Sequence, residues 1–166
     1  MTIDIEVDTF RSSILYWIGI LEGEANLQFV QEMKGGKSDV PVWRTLSILS
    51  ELDGITVGDL ARHTHIERTA LSHLLTQMEK QMLVERRPLP SNRRTIQVFL
   101  LEEGRRTFER MLPVRRMVFR RATQGIARED LETMMLVTRR LIENLRAASG
   151  EAEPEERLHP AAKGAG

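Results

Sequence analysis

The chain has 166 residues, with 24 basic and 24 acidic side chains, 41% hydrophobic residues and no cysteine. That length suits one compact unit and is short for two independent cores; the composition is globular, and no apolar run approaches membrane-spanning length. The absence of cysteine excludes disulfides, thiolate zinc sites, cysteine nucleophiles and thiol redox sensing.

The zero net charge conceals an uneven distribution. Residues 1–39 carry seven acids against three bases, whereas residues 55–100 carry seven bases against four acids. Between Arg105 and Arg121 seven arginines face Glu109 alone, and after Ala148 four acids face two bases. A basic centre between acidic ends suits a polyanionic partner. The segment Met1–Phe10 is acidic and lacks the basic start and apolar core of a secretory signal, so a cytoplasmic location is expected.

Residues 1–9 read as a flexible N-terminus. From Phe10 to Met33 the apolar residues Phe10, Ile14, Trp17, Ile18, Leu21, Ala25 and Phe29 follow helical spacing, and Gly35-Gly36 ends the pattern. The same helix carries Leu15, Tyr16, Ile20 and Leu27 on its other side, more apolar surface than a lone helix buries, which points to a partner helix. A short second helix is predicted over Val42–Leu52, with Asp39 and Pro41 as start signals and Asp53-Gly54 as the stop. Thr56 stands at an N-cap position with Asp59 three residues on, opening a helix that ends near Thr64. After a His65-Ile66 turn, Arg68–Gln81 sets Leu71, Leu74, Leu75 and Met78 on one stripe, and two helices so closely joined make a helix-turn-helix.

Leu83–Arg87 and Thr95–Leu101 switch to strand-like alternation, with Pro88–Arg94 between them as a long, basic hairpin tip. Helical pattern returns over Glu102–Arg121, where Pro113 should kink it, and over Arg128–Arg146, with Gly125 between the two. Residues 148–166 are acidic, rich in Gly, Pro and Ala, and read as a flexible tail.

This element order, the string Thr56-Val57-Gly58-Asp59-Leu60-Ala61, the pieces Met78-Glu79 and Leu83-Val84-Glu85-Arg86, the hairpin end Arg94–Leu100 and the Glu103-Gly104 helix opening together resemble the MarR family of bacterial regulators. The resemblance spans about Phe10 to Ala147. It departs from the family at Met82, where Gly is usual, at Asn92, where a wing-bracing Asp is usual, and at Leu101, where Thr is usual. The family implies a mainly α fold with a small β-hairpin wing: a winged helix-turn-helix over residues 42–101, with residues 56–101 as the DNA-reading module. The N- and C-terminal helices, 10–33 and 102–147, would be dimerisation helices.

A helix entering the major groove needs short polar side chains and a few long donors on its exposed first turns, which Arg68, Thr69, Ser72 and His73 supply, with Thr76 in reach of a phosphate. At the hairpin, Arg93 and Arg94 are placed to enter a narrow minor groove, with Arg86 and Arg87 flanking its base. The Arg105–Arg121 run reads first as solvent-facing or ion-paired arginines and second as phosphate contacts.

The resemblance further implies a small-molecule effector site, and directs attention to Tyr16, Trp17, Trp43 and Arg44, an aromatic wall with a cation suited to an aromatic acid or acyl thioester. The functional expectation is a homodimeric repressor released from a palindromic operator in double-stranded DNA by such a ligand. A ligand-independent or architectural DNA binder, or a metal-responsive regulator, is the alternative. His63, His65 and His73 with Glu67 carry metal-ligand chemistry, but their spacing fits no compact set on one helix face, so neither metal nor cofactor is expected. No nucleophile elbow, glycine-rich phosphate loop or paired-carboxylate motif is present, and an enzyme is not expected.

Overall fold

The computed structural model describes residues 9–34 and 39–149. Its elements run α1 (Ile14–Met33), α2 (Asp39–Glu51), β1 (Ile55–Thr56), α3 (Val57–Thr64), α4 (Arg68–Lys80), β2 (Val84–Leu89), β3 (Asn92–Leu100), α5 (Glu102–Ala122) and α6 (Arg128–Ala148). The residues through Ala122 form one compact unit, and α6 belongs to a second that begins at Thr123. The expectations for residues 1–8, for the Gly35-Gly36 stop and for the tail from 150 onward fall outside the described residues; Ala148, expected to open the tail, closes α6.

Local chemistry sets the boundaries. Helix α1 starts at Ile14 rather than Phe10 because Ser13 caps it, its hydroxyl accepting the Tyr16 N–H at 3.4 Å. Helix α2 starts at Asp39, ahead of Val42, which puts Pro41 in the first turn, where its missing N–H has no helical partner to lose. Gly54 follows with φ 79°, and a Cβ there would lie 2.9 Å from the Phe99 ring. The Thr56 cap forms as expected: its hydroxyl accepts the Asp59 N–H at 3.1 Å and donates to the Asp59 carboxylate at 2.5 Å. Burial pushes the Asp59 carboxyl up, but the hydrogen bonds from Thr56 and Arg62 outweigh it and leave the group below its usual value. Helix α3 ends at Thr64, with His65 in the left-handed region at φ 51°.

The three strands form one antiparallel sheet in the order β1-β3-β2. The strand β1, which pairs Ile55 with Val98, has no counterpart among the predicted elements. The hairpin differs too. The strands extend to Leu89 and from Asn92, leaving only Pro90-Ser91 between them in place of the long tip expected over Pro88–Arg94. Pro88 fits because β2 is an edge strand, and the register shifts beside it, between Pro88 and Leu89.

The core joins Phe29 of α1, Leu46 and Leu49 of α2, Leu60 of α3, Leu71, Leu75 and Met78 of α4, Val84 of β2 and Val98 of β3, all fully or almost fully buried. Met111 and Val118 bring α5 onto it. Helix α5 continues through Pro113, whose missing N–H leaves the Glu109 carbonyl without its usual helical partner. Helix α6 buries none of its residues and exposes Met134, Met135, Leu136, Val137, Ile142 and Leu145. Among the described residues no helix is long and apolar enough to cross a membrane.

Candidate nucleic-acid interface

Helix α4 turns Leu71, Leu75 and Met78 into the core, so helical geometry sends Arg68, Thr69, Ser72, His73 and Thr76 outward, and all five are exposed. Its N-terminus is capped by Glu67, whose carboxylate accepts the main-chain N–H groups of Thr69 at 2.8 Å and Ala70 at 3.0 Å. Those bonds hold the Glu67 carboxyl below its usual value. An exposed polar stripe on a rigid, capped helix can be offered to a groove as a unit.

The wing lies beyond. Arg93 and Arg94 are exposed at the start of β3, and among the described residues neither has a carboxylate partner. Asn92 does not reach the Arg94 guanidinium; its side-chain oxygen accepts the Arg94 main-chain N–H at 3.1 Å, which orders the turn and leaves the charge of Arg94 directed elsewhere. Arg87 pairs with Glu85 and stacks over the Phe99 ring, 4.6 Å from its centroid.

Two of the residues expected to contact DNA have partners within the protein. The guanidinium of Arg86 is bound to the Glu79 carboxylate, with Nε at 2.9 Å, and also to the Thr76 hydroxyl at 3.0 Å. Thr76 in turn donates to the Ser72 carbonyl at 3.0 Å. Both side chains are engaged inside the protein, because the antiparallel return of β2 brings Arg86 alongside the last turns of α4.

A cleft of about 770 Å³ opens against α1, α2 and α5, lined by Ala25, Trp43, Pro113, Arg115, Val118 and Phe119 among others. Of the four residues expected at an effector site, only Trp43 lines it. Tyr16 and Trp17 lie two turns of α1 before Ala25, where they make edge contacts with each other and, through Tyr16, with Phe10. Arg44 donates to the Thr64 carbonyl and pairs with Glu22. Three arginines line the cleft, Arg115, Arg116 and Arg120, and of these Arg115 is the part-buried one: it donates to the Asn26 side-chain oxygen at 3.0 Å and lies over the rings of Phe29 (4.9 Å) and Trp43 (5.8 Å). Burial first, and the Arg44 charge second, lower its proton affinity. Trp43 also stacks on Phe108 with 5.3 Å between centroids. The signal for Arg115 was present in the sequence: alone among the seven arginines of α5 it falls between Met111 and Val118 on the apolar stripe.

His63, His65, His73 and Glu67 do not converge, and among the described residues no three His, Asp or Glu side chains gather as metal ligands.

A two-helix reading unit beside a three-stranded wing defines a winged helix-turn-helix protein. Residues 40–96 match the MarR family model, and the chain is similar to that family of transcriptional regulators. It is 26% identical over 140 residues to the HTH-type transcriptional repressor IacR of Pseudomonas putida, covering 83% of this chain and 84% of that one. Its fold is similar to a MarR family regulator from Silicibacter pomeroyi (TM-score 0.75, 24% identity, 88% and 97% of the two chains). It is similar also to Bordetella bronchiseptica BpsR (TM-score 0.71, 16% identity, 80% and 95%), whose DNA binding is regulated by 6-hydroxynicotinic acid.

Proposed function

We propose that this protein is a homodimeric, cytoplasmic repressor that binds a palindromic site in duplex DNA and is released by a small aromatic acid or acyl thioester. Residues 42–101 read the DNA; residues 10–33 and 102–147 join the two copies. The observation that carries the reading is the exposed stripe Arg68, Thr69, Ser72 and His73 on α4, together with Arg93 and Arg94 at the wing, two guanidinium groups without a carboxylate partner among the described residues. The first set suits base edges of the major groove and the second a minor groove.

Dimerisation is supported by apolar side chains exposed on two helices, Leu15, Trp17 and Leu27 on α1 and Met135, Leu136 and Leu145 on α6, each more than half exposed. The effector reading is supported by the cleft itself, where aromatic faces border a half-buried arginine that has no carboxylate hydrogen-bonded to it among the described residues. A ligand can release DNA only by preferring the arrangement that does not bind it.

Selection of duplexes from a random pool by the purified protein tests the reading. The expected outcome is an inverted repeat bound by a dimer, displaced by members of a panel of hydroxybenzoates and aryl thioesters of coenzyme A. Enrichment of no sequence overturns the regulator reading; a selected site that no panel member displaces overturns the effector class.

A further inference from the structure

The Arg86–Glu79 pair joins the element that carries the wing to the helix that carries the reading stripe. Glu79 stands in the last turn of α4 and Arg86 is the third residue of β2. The Glu79 carboxylate accepts three hydrogen bonds from this one residue: the main-chain N–H at 3.0 Å on Oε1, and Nε at 2.9 Å and Nη2 at 2.5 Å on Oε2. The same Nη2 reaches Thr76 Oγ1 at 3.0 Å, and Thr76 donates to the Ser72 carbonyl. A single connected path therefore runs from the exposed face of α4 to the root of the wing.

Apolar packing of Met78 and Val84 also holds α4 to β2, but burial is non-directional and resists sliding poorly. A forked guanidinium on a carboxylate is directional and fixes both distance and orientation. DNA binding through two separate points needs them held at one spacing, since ordering them on contact would cost affinity.

We infer that Glu79 and Arg86, with Thr76, are positioning residues that fix the wing against the reading helix, and that none of the three contacts DNA. This rests on the DNA-binding reading above. It makes an unusual demand: removing the negative charge of Glu79 should weaken binding to a polyanion, although charge alone would strengthen it.

The test measures binding of wild type, Glu79→Gln, Arg86→Gln, Thr76→Val and the Glu79→Gln/Arg86→Gln double variant to the duplex that the wild type selects, across a salt series. Folding is checked by circular dichroism. Glu79→Gln and Arg86→Gln are each expected to weaken binding about tenfold, as loss of a charged hydrogen-bonded pair does. The double variant should be no weaker than the worse single one, and the slope of log affinity on log salt should stay at the wild-type value. Thr76→Val, which removes only the outermost contact, should show a smaller loss in the same direction and serves if Arg86→Gln does not fold. Binding by Glu79→Gln as tight as wild type or tighter overturns the inference. So does a salt slope reduced by about one counterion in Arg86→Gln, which would make Arg86 a phosphate contact. A wild type that selects no duplex overturns the DNA reading, and the clamp's role with it, an outcome distinct from the other two.

Discussion

Gly104 lies against the main chain of Leu83 so closely that a Cβ on it would sit 2.1 Å from the Leu83 carbonyl oxygen. That carbonyl also accepts the Leu101 N–H at 3.0 Å, so the start of α5 is sewn to the entry of the wing. Gly104→Ala must push backbone apart and is expected to destabilise the protein by about 3 kcal/mol or more. Denaturant unfolding checks this, and a loss of under about 1 kcal/mol would contradict the close approach.

Met82 has φ 57°, the left-handed region that favours glycine, and its side chain is 63% exposed. The MarR resemblance implies Gly at this position, and the left-handed backbone supplies the reason. Met82→Gly should stabilise the fold by about 0.5–1 kcal/mol, since relief of the left-handed strain exceeds the entropy glycine adds to the unfolded chain. A lowered melting temperature would show that the Met82 side chain contributes contacts worth more than the strain.

Glu79 makes stability depend on pH. The Arg86 hydrogen bond lowers its carboxyl below the ordinary glutamate value, against the opposing effect of burial. A group depressed in the folded state stabilises it fully above its unfolded value, and that contribution is lost as pH falls from there through the lower folded value. Glu79→Gln should therefore melt below wild type at neutral pH, and the gap should close as the solution is acidified below about pH 4.5. A gap independent of pH would remove the ion pair as its cause.

Arg94 is held to Asn92 by its main-chain N–H, and its guanidinium takes no part in that bond. Arg94→Ala should weaken binding to the selected duplex and reduce its salt slope by about one counterion. Asn92→Asp should preserve the turn, because either side chain offers an oxygen to the same N–H. An unchanged salt series for Arg94→Ala would take this arginine out of the interface.

Arg115 is the part-buried one of the three arginines that line the cleft. Arg115→Met keeps much of the side-chain volume against Phe29 and Trp43 and removes the charge. DNA affinity should survive while any acidic effector acts at least tenfold more weakly, the loss of one charged hydrogen bond. Isothermal titration with the active panel members reads this directly, and unchanged affinity would dismiss Arg115 as the anchor.

Much of this was legible in the residue order because it is local. The Thr56–Asp59 cap, the turn at His65, the buried stripe of α4 and the exposed Arg68–His73 face all follow from spacing along one segment, where periods of 3.6 and 2 decide which side meets the core. The features that escaped depend on chain ends meeting across the sequence. Strand β1 exists only because β3, forty residues on, supplies its hydrogen bonds, and the wing tip shortened because Pro88 and Leu89 are drawn into pairing with Ile96 and Asn92.

The basic charge of residues 55–100 and the polar face of α4 are properties of the sequence by itself, and they suit a polyanionic partner. Which arginine does what is a tertiary decision. Arg86 is tied to Glu79, Arg115 turns into the cleft beside Trp43, and Arg93 and Arg94 remain exposed at the wing. Four chemically identical groups are divided among a clamp, a cleft and an exposed edge, and a fifth, Arg87, lies on Phe99, because a guanidinium takes its role from the carboxylate or ring that folding brings within reach.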